Sequence, residues 1–402
     1  MKFTKMSLVA ALLVGSSAFA LDNIKVSGDA NLFYSTADAG NVDLFNKNGA
    51  IGQAGLDLGL SADLAEGISA GMSTTAITTL GLENNLVSGV FAGTSVQTQW
   101  WVSEAWMAAT LGKTTAKIGR QKLDTPLCFT ETWNIAYNTF DAAVFLNQDI
   151  PDTTLVGAWV GKGNGAAGSV VTSPVDAAGA QTDSYKSFAI EGAYAAAVVN
   201  NSFKPLTVQA WYYNVLNAAN AVWVQADLNM NGIILGAQYA NIAIKGKLAA
   251  ADDSSAFALK AGYSDADMGL TAFVAYSQTD TKGTIDVSNV ATGHTAGSQS
   301  KLYTEAWWNY GYVGAKDMAT VNVTVEYAVA DIADFGLYYT MADSGTDAYT
   351  TATSRDMSEI TLSASKSFGP LDTSLVYINT TADDQNAGDG YNAVQAYLTL
   401  NF

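Results

Sequence analysis

Apolar and polar side chains alternate with a period of two from one end of the chain to the other, and this regularity restricts the fold more than any other feature. In "KVSGDANLFY", Val26, Gly28, Ala30, Leu32 and Tyr34 share one face, while Lys25, Ser27, Asp29 and Asn31 share the other. "VNVTVEYAV" sets Val321, Val323, Val325, Tyr327 and Val329 against Asn322, Thr324 and Glu326. "EITLSAS" repeats the pattern, and the closing "YNAVQAYLTLNF" places Val394, Ala396, Leu398, Leu400 and Phe402 on one side. Successive side chains of a strand point to opposite faces, so these segments read as strands with one apolar and one polar face. The chain is all-β.

A soluble sandwich alternates as well. Three features favour a transmembrane antiparallel β-barrel instead. Candidate strands are about ten residues long, the length of a tilted membrane strand. Tyr34, Tyr239, Tyr263, Tyr339 and Tyr377 close the apolar face, as an interfacial girdle does. The chain also ends on a strand whose last residue is Phe402, which resembles the assembly signal of outer-membrane barrels and counts by that resemblance only. Composition agrees: 36 glycines, 19 tyrosines and 9 tryptophans with only 14% charged residues suit strands with aromatic ends better than helical bundles. No linker or composition break divides residues 21–402, which read as one domain.

The first twenty residues, "MKFTKMSLVAALLVGSSAFA", place Lys2 and Lys5 before an apolar run from Leu8 to Val14 and end in Ala18-Phe19-Ala20. This is the pattern of a secretory signal peptide cut after Ala20. So short an apolar run cannot span a bilayer, which needs roughly twenty residues. The chain carries a formal net charge of −18, and removing the leader takes away two more lysines and no acid. Nucleic acid and anionic surfaces are therefore excluded as partners. Cys128 is the single cysteine, so no internal disulfide stabilises the exported chain, and sheet closure must do so.

Connections alternate in length. Tight links at 63–67, 111–113, 229–232, 264–269, 329–334 and 368–372 interleave with long polar ones near 35–50, 78–98, 161–184, 280–318, 343–354 and 381–390. Short periplasmic turns and long external loops have this rhythm. Nineteen segments look extended, but a bacterial barrel with both ends periplasmic needs an even number. In "LYTEAWWNYGYVG" (302–314) alternation fails, so it belongs inside the 280–318 loop, leaving eighteen strands. Sixteen is the alternative if a short segment such as 140–147 is not a strand.

Little in the chain points to chemistry. His294 in "TGHTAGS" is the sole histidine, and its Gly and Ser neighbours suit a loop rather than a catalytic group. Cys128 has neither a second cysteine nor a nearby histidine for zinc or redox work. "GKGNG" (161–165) lacks the spacing and following helix of a phosphate loop. In "TADDQNAGDG", Asp383, Asp384 and Asp389 are oxygen donors suited to Ca²⁺, but Gly388 stands where a ligand belongs and no Glu closes the site. A solvated acidic loop is the better reading, with structural Ca²⁺ the weaker one; no other cofactor is indicated.

One stretch, "KIGRQKLDTPLCFTETWNIAYNTFDA" (117–142), interrupts the alternation. In the preceding strand Glu104 shares a face with Trp106 and Ala108, opposite Ala105, Met107 and Ala109. A charge facing mid-bilayer lipid is costly, so Glu104 should point into the lumen. Residues 123–139 carry Pro126, Cys128, Phe129, Trp133 and Tyr137 without alternation. A loop this apolar is expected to fold into the barrel, pack on its wall and narrow the channel. Glu104 and Lys117 are the wall candidates, and Arg120, Lys122, Asp124, Glu131 and Asp141 the constriction candidates. Arg120 and Lys122 either oppose acidic groups across the eyelet or sit above it at the rim.

"GRQKLDTP", "NTFDA" and "IPDTTL", with "LYTEAWWNYGYVGAKD", "KSFGPLDTSLVYI" and "AYLTLNF", resemble the major outer membrane porins of Campylobacter and its relatives, a group distantly similar to OprD-type porins. The resemblance implies an eighteen-stranded, trimeric, water-filled porin of the bacterial outer membrane whose third external loop folds inward. It also implies that Arg120, Lys122 and Asp124 enter the constriction loop and that Asn138 to Phe140 leave it. Related sequences carry an acidic-x-Arg pair and a Pro ahead of NTF, where this chain reads "TETWNIAYNTF". Losing that basic group favours cation passage, as does the net charge. The expectation is passive diffusion of ions and small hydrophilic solutes, mildly cation-selective, with outer-membrane lipid around the barrel and no enzymatic step. A substrate-specific channel, for which "AWWNYGY" is the one candidate aromatic ladder, and a surface adhesin or structural barrel are the competing readings.

Overall fold

Alternation becomes hydrogen-bonded strand along nearly all of the chain. The computed structural model describes residues 22–90, 98–165, 185–292, 298–345 and 355–402; the signal peptide and His294 lie outside them. The strands are β1 (Asp22–Ala37), β2 (Ala50–Ala65), β3 (Ile68–Thr78), β4 (Thr98–Leu111), β5 (Thr114–Gln121), β6 (Phe140–Asn147) and β7 (Thr153–Gly163). They continue with β8 (Lys186–Ser187), β9 (Ala193–Asn200), β10 (Leu206–Val215), β11 (Ala219–Met230), β12 (Ile233–Ile244) and β13 (Ser254–Asp265). The last are β14 (Leu270–Thr279), β15 (Met318–Val329), β16 (Ala333–Ser344), β17 (Met357–Phe368), β18 (Leu371–Ala382) and β19 (Tyr391–Asn401). The two-residue β8 only clips onto the end of β7, which pairs directly with β9. The wall is therefore an eighteen-stranded antiparallel barrel, closed by β1 against β19. Residues 140–147 form a wall strand and 302–314 do not, which settles eighteen over sixteen.

Closure removes the sheet edges that would otherwise be left unpaired. At the seam, Gly28 N–H donates to the Phe402 carbonyl at 2.8 Å and Phe402 N–H returns to Gly28 at 2.9 Å. A Cβ on residue 28 would stand 2.3 Å from the Asp57 carbonyl oxygen and 2.8 Å from the Phe402 ring, so only glycine lets the terminal aromatic ring lie there. Among the tight links, Asn231 and Gly232 both have positive φ, 52° and 85°. That conformation matches the right-handed twist of the strands on either side, which is why Asn-Gly joins β11 to β12 in two residues.

The period-two pattern sorts the faces. Met107, Leu259, Val274 and Leu375 are among the exposed apolar side chains of the outer wall, which lipid would cover. Tyr239, Tyr263 and Tyr377 are exposed with them. Inside, Gln53, Thr75, Ser103, Asn322, Thr361 and Gln395 are almost fully buried. Polar side chains lining an open lumen would be wet; these are covered because loops fill the barrel at their level. The start of β1 and the end of β19 lie on the rim of short turns. Counted along the opposite rim, the connection 122–139 is the third and 280–317 the seventh. Length alternation is not uniform, since only residues 216–218 join β10 to β11 on the long-loop rim.

Candidate pore constriction

The third loop enters the barrel because its sequence makes both ends self-fastening. Thr130 N–H donates to the Leu123 carbonyl at 2.8 Å, and Leu123 N–H donates to Thr130 Oγ1 at 3.1 Å, folding 123–130 into a tight hairpin around Pro126. Beyond it, Tyr137 Oη donates to Asp57 Oδ2 on β2 at 2.8 Å, and Thr139 Oγ1 donates to the Ser103 carbonyl on β4 at 2.7 Å. Leu127, Cys128, Phe129, Ile135 and Tyr137 are buried, as expected of an apolar loop packed on the wall. Burial raises the Tyr137 hydroxyl and the Cys128 thiol well above their ordinary values, so neither ionises near neutral pH. Cys128 is a packing residue.

A second loop shares the lumen, and the sequence did not reveal its part. The seventh loop runs beside the third and is bonded to it. Asn289 Nδ2 donates to the Phe129 carbonyl at 2.9 Å while its Oδ1 accepts from Phe129 N–H at 3.1 Å. Val290 N–H donates to the Leu127 carbonyl at 3.0 Å. Where the loops meet, Glu131 accepts from Trp133 Nε1 at 3.0 Å, from Asn289 Nδ2 at 2.9 Å and from Thr292 Oγ1. Glu131 is only 2% exposed. It joins the two loops and does not face water, unlike its expected place among the eyelet charges.

The "AWWNYGY" aromatics finish the plug. Trp308 stacks on Phe33 at 6.3 Å and meets Trp133 edge-on at 6.0 Å, while Tyr310 lies 5.4 Å from Trp133. Glu359 on β17 accepts from Trp308 N–H at 3.0 Å, from Asn309 N–H at 2.9 Å and from Asn309 Nδ2 at 2.8 Å. These rings wedge the seventh loop against the third and against the wall, so they do not form a free ladder. A cavity of 560 Å³ remains, bordered by Trp133, Tyr303, Glu305, Trp307, Glu326 and Tyr338 among others.

The remaining candidate charges lie mostly in pairs. Arg120 on β5 meets its cross-strand partner Asp141 on β6 at 2.9 Å, donates to the Val102 carbonyl at 3.0 Å and lies 3.3 Å over the Tyr185 ring. Burial beside these groups pushes the Tyr185 hydroxyl up to about 12. Lys122 lies 3.7 Å over the Tyr137 ring, with Glu104 at 3.8 Å. Glu104 thus points into the lumen from β4, and Lys117 covers Trp106 at 4.2 Å. Asp124 leaves the wall to pair with Lys301 of the seventh loop at 3.0 Å. Arg120 and Lys122 therefore meet acids on their own arc of wall, at the level of the third loop.

Other lumen groups went unforeseen. Asp57 takes hydroxyl bonds from Thr75 at 2.6 Å and from Tyr137. Lys260 on β13 pairs with Asp227 on β11 at 3.3 Å and lies 4.0 Å over Tyr303. Glu326 on β15 accepts from Tyr338 at 2.9 Å. Each is a charge set among neutral neighbours in an alternating strand, as in "GLDLG" and "ALKAG", and that pattern alone could have marked them. Of the Ca²⁺ candidates, Asp384 is held by Arg355 at 3.0 Å and by Tyr312 Oη. Among the described residues no group of three or more His, Cys, Asp or Glu is arranged to hold a metal ion.

No family model matches the chain, and no curated protein does. Solved structures do. The chain is similar to OccK8 (OprE) of Pseudomonas aeruginosa with a TM-score of 0.70 at 16% identity, covering 94% of this chain and 98% of that one. OccK1 (OpdK) of the same organism gives 0.71 at 12%, covering 96% and 100%. OccAB1 of Acinetobacter baumannii gives 0.71 at 12%, covering 95% and 97%. At these identities the likeness is one of fold, and it extends over the whole barrel.

Proposed function

We propose that this chain is an outer-membrane porin that passes ions and small hydrophilic solutes by diffusion and prefers cations, assembled as a homotrimer and exported by its cleaved leader. Fold likeness to the OprD/Occ porins supports the channel reading, as does the outer wall of apolar side chains. The observation that carries the cation preference is the charge pairing of the lumen. Arg120, Lys122, Lys260 and Lys301 each face a carboxylate, and Lys117 lies over an indole ring. Asp57 and Glu326 are held by neutral hydroxyls, so their charge stays uncompensated by a bonded cation. Lining charge of one sign selects permeant ions of the other.

No chemical step is required. Solutes cross down their gradients, sieved by the gap that the two inward loops leave and steered by the acids of the wall. Planar-bilayer recording tests the reading: discrete conductance steps should appear, with a reversal potential in a salt gradient that favours the cation. Absence of steps overturns the porin, and chloride preference overturns the selectivity.

A further inference from the structure

Between the two inward loops and the wall of β7 and β9 to β12 lies a separate hollow of 280 Å³, lined almost wholly by carbon. Its origin is legible in the strand register. Ala158, Ala195, Tyr213 and Ala221 stand in one row across four strands, and Ala193 and Ala219 lie in the next row. These positions face inward, where neighbouring arcs of the barrel carry long polar side chains. Methyl groups there leave space that the loops cover with Leu127, Cys128 and Val290 but do not fill.

Two observations point to an occupant. The volume is about twice the roughly 150 Å³ of an apolar cavity that stays dry and takes up benzene, so an unfilled hollow of this kind attracts an apolar body. In addition, the Tyr213 hydroxyl, which lines the hollow, is buried without a hydrogen-bond partner among the described residues. The Thr125 hydroxyl and the Leu127 backbone lie near it but outside hydrogen-bonding geometry, and Thr125 directs its proton to the Cys128 carbonyl at 2.7 Å. A buried hydroxyl left unpaired is destabilising, and a ligand group that pairs with it recovers that loss. Among the described residues no charged side chain lines the hollow, so an ionised ligand would lose its hydration uncompensated.

We propose that this hollow binds one small neutral aromatic alcohol, with its ring among the alanines and its hydroxyl on Tyr213. Ala189, Ile190 and Leu248 of the rim loops also line it, and the part-exposed Leu248 marks the approach from the long-loop side. The site lies beside the ion path and is distinct from it. It gives the protein a place to retain neutral compounds that the acidic lumen neither attracts nor repels.

The test uses ¹⁹F NMR on the full protein in lipid nanodiscs, with 4-fluorobenzyl alcohol and 4-fluorotoluene as probes. Both should bind saturably at one site per chain, the alcohol at least fivefold tighter. Tyr213→Phe should remove the preference for the alcohol while keeping the toluene site. Ala195→Phe, which fills the hollow with an apolar ring, should abolish saturable binding of both, and Ala219→Leu provides a second filling variant should the first fold poorly. Lack of a saturable component in the wild type overturns the proposal, as would follow if a lipid chain already occupies the hollow. So does an alcohol preference that survives in Tyr213→Phe.

Discussion

The third and seventh loops do the same job with different means. The third is fixed by side-chain hydroxyls reaching its own arc of wall, Tyr137 to Asp57 and Thr139 to Ser103. The seventh has hydroxyl bonds to the wall as well, Tyr303 to Asp227 and Thr304 with Ser277, but adds a backbone anchor, with two consecutive N–H groups delivered to the Glu359 carboxylate. A hydroxyl bond leaves each partner able to meet water if it breaks. A carboxylate buried beneath a loop cannot be rehydrated without lifting the loop. The seventh loop is therefore the more cooperative element, and two buried acids hold the loops in place, Glu131 between them and Glu359 below one of them.

Breaking the joint should have the largest effect. Glu131→Ala removes the carboxylate to which Trp133, Asn289 and Thr292 all donate. Hydrogen bonds to charged groups contribute about 1.5–3 kcal/mol each, so the loss is on the order of 4 kcal/mol after partial relaxation. The two loops should separate while the barrel stays closed, and single-channel conductance should rise with added open-channel noise. An unchanged conductance would show that the joint does not set the width. Glu359→Ala should come next, at about 3 kcal/mol, because it removes the acceptor of the Trp308 and Asn309 N–H groups but leaves the third loop bonded to the wall. Proteolysis should then cut near 302–314 and spare 123–139; cleavage of both loops at equal rates would contradict the difference argued above.

The two loops also differed in how plainly the sequence announced them. The third was legible because alternation stops between two good strands and the residues that replace it, Leu127, Phe129, Trp133 and Tyr137, are too apolar for open water. Period two marked the strands; strand length and aromatic ends pointed to a barrel, the even-number requirement to eighteen strands, and the cost of a charge in lipid to the lumenal side for Glu104. The seventh loop was legible only as a loop. Its destination is set by partners far away in the chain, Asn289 with Phe129 at a separation of 160 residues and Asn309 with Glu359 at 50, and no local pattern encodes such pairs. For the same reason Glu131 looked like an eyelet charge: nothing next to it in sequence shows that Asn289 and Thr292 cover it. Charges of wall strands were easier to place than charges of loops, because a strand's pleat fixes where a side chain points.

Acidity should move the seventh loop more than the third. Glu305 is buried in the seventh loop, accepting from Ser300 N–H at 2.7 Å through one oxygen while the other has no partner. Burial raises its carboxyl well above the ordinary value of 4.5, and the nearby Glu131 charge adds to the rise. The folded loop therefore holds a proton that the released loop gives up. The resulting stabilisation is complete below pH 4.5 and is lost as pH climbs toward the raised folded value. Wild-type protein should resist cleavage at 302–314 best in acid and progressively less as pH rises. Glu305→Gln, neutral at every pH, should flatten that dependence, and an unaltered pH slope in the variant would assign it to another group.

Tyr137→Phe should give the smallest change and the cleanest contrast with Glu359→Ala. It deletes one hydroxyl bond to Asp57, whose carboxylate keeps the Thr75 hydroxyl at 2.6 Å and gains access to water. The stability loss should be about 1 kcal/mol, the usual net worth of one such bond. The ring remains to cover Lys122, so loop position and conductance should change little. Asp57 becomes better exposed to passing ions, so the reversal potential should shift further toward cation preference. A shift toward chloride, or a conductance rise as large as that of Glu359→Ala, would mean that the third loop is held as cooperatively as the seventh and that the distinction between hydroxyl and carboxylate anchors does not govern the pore.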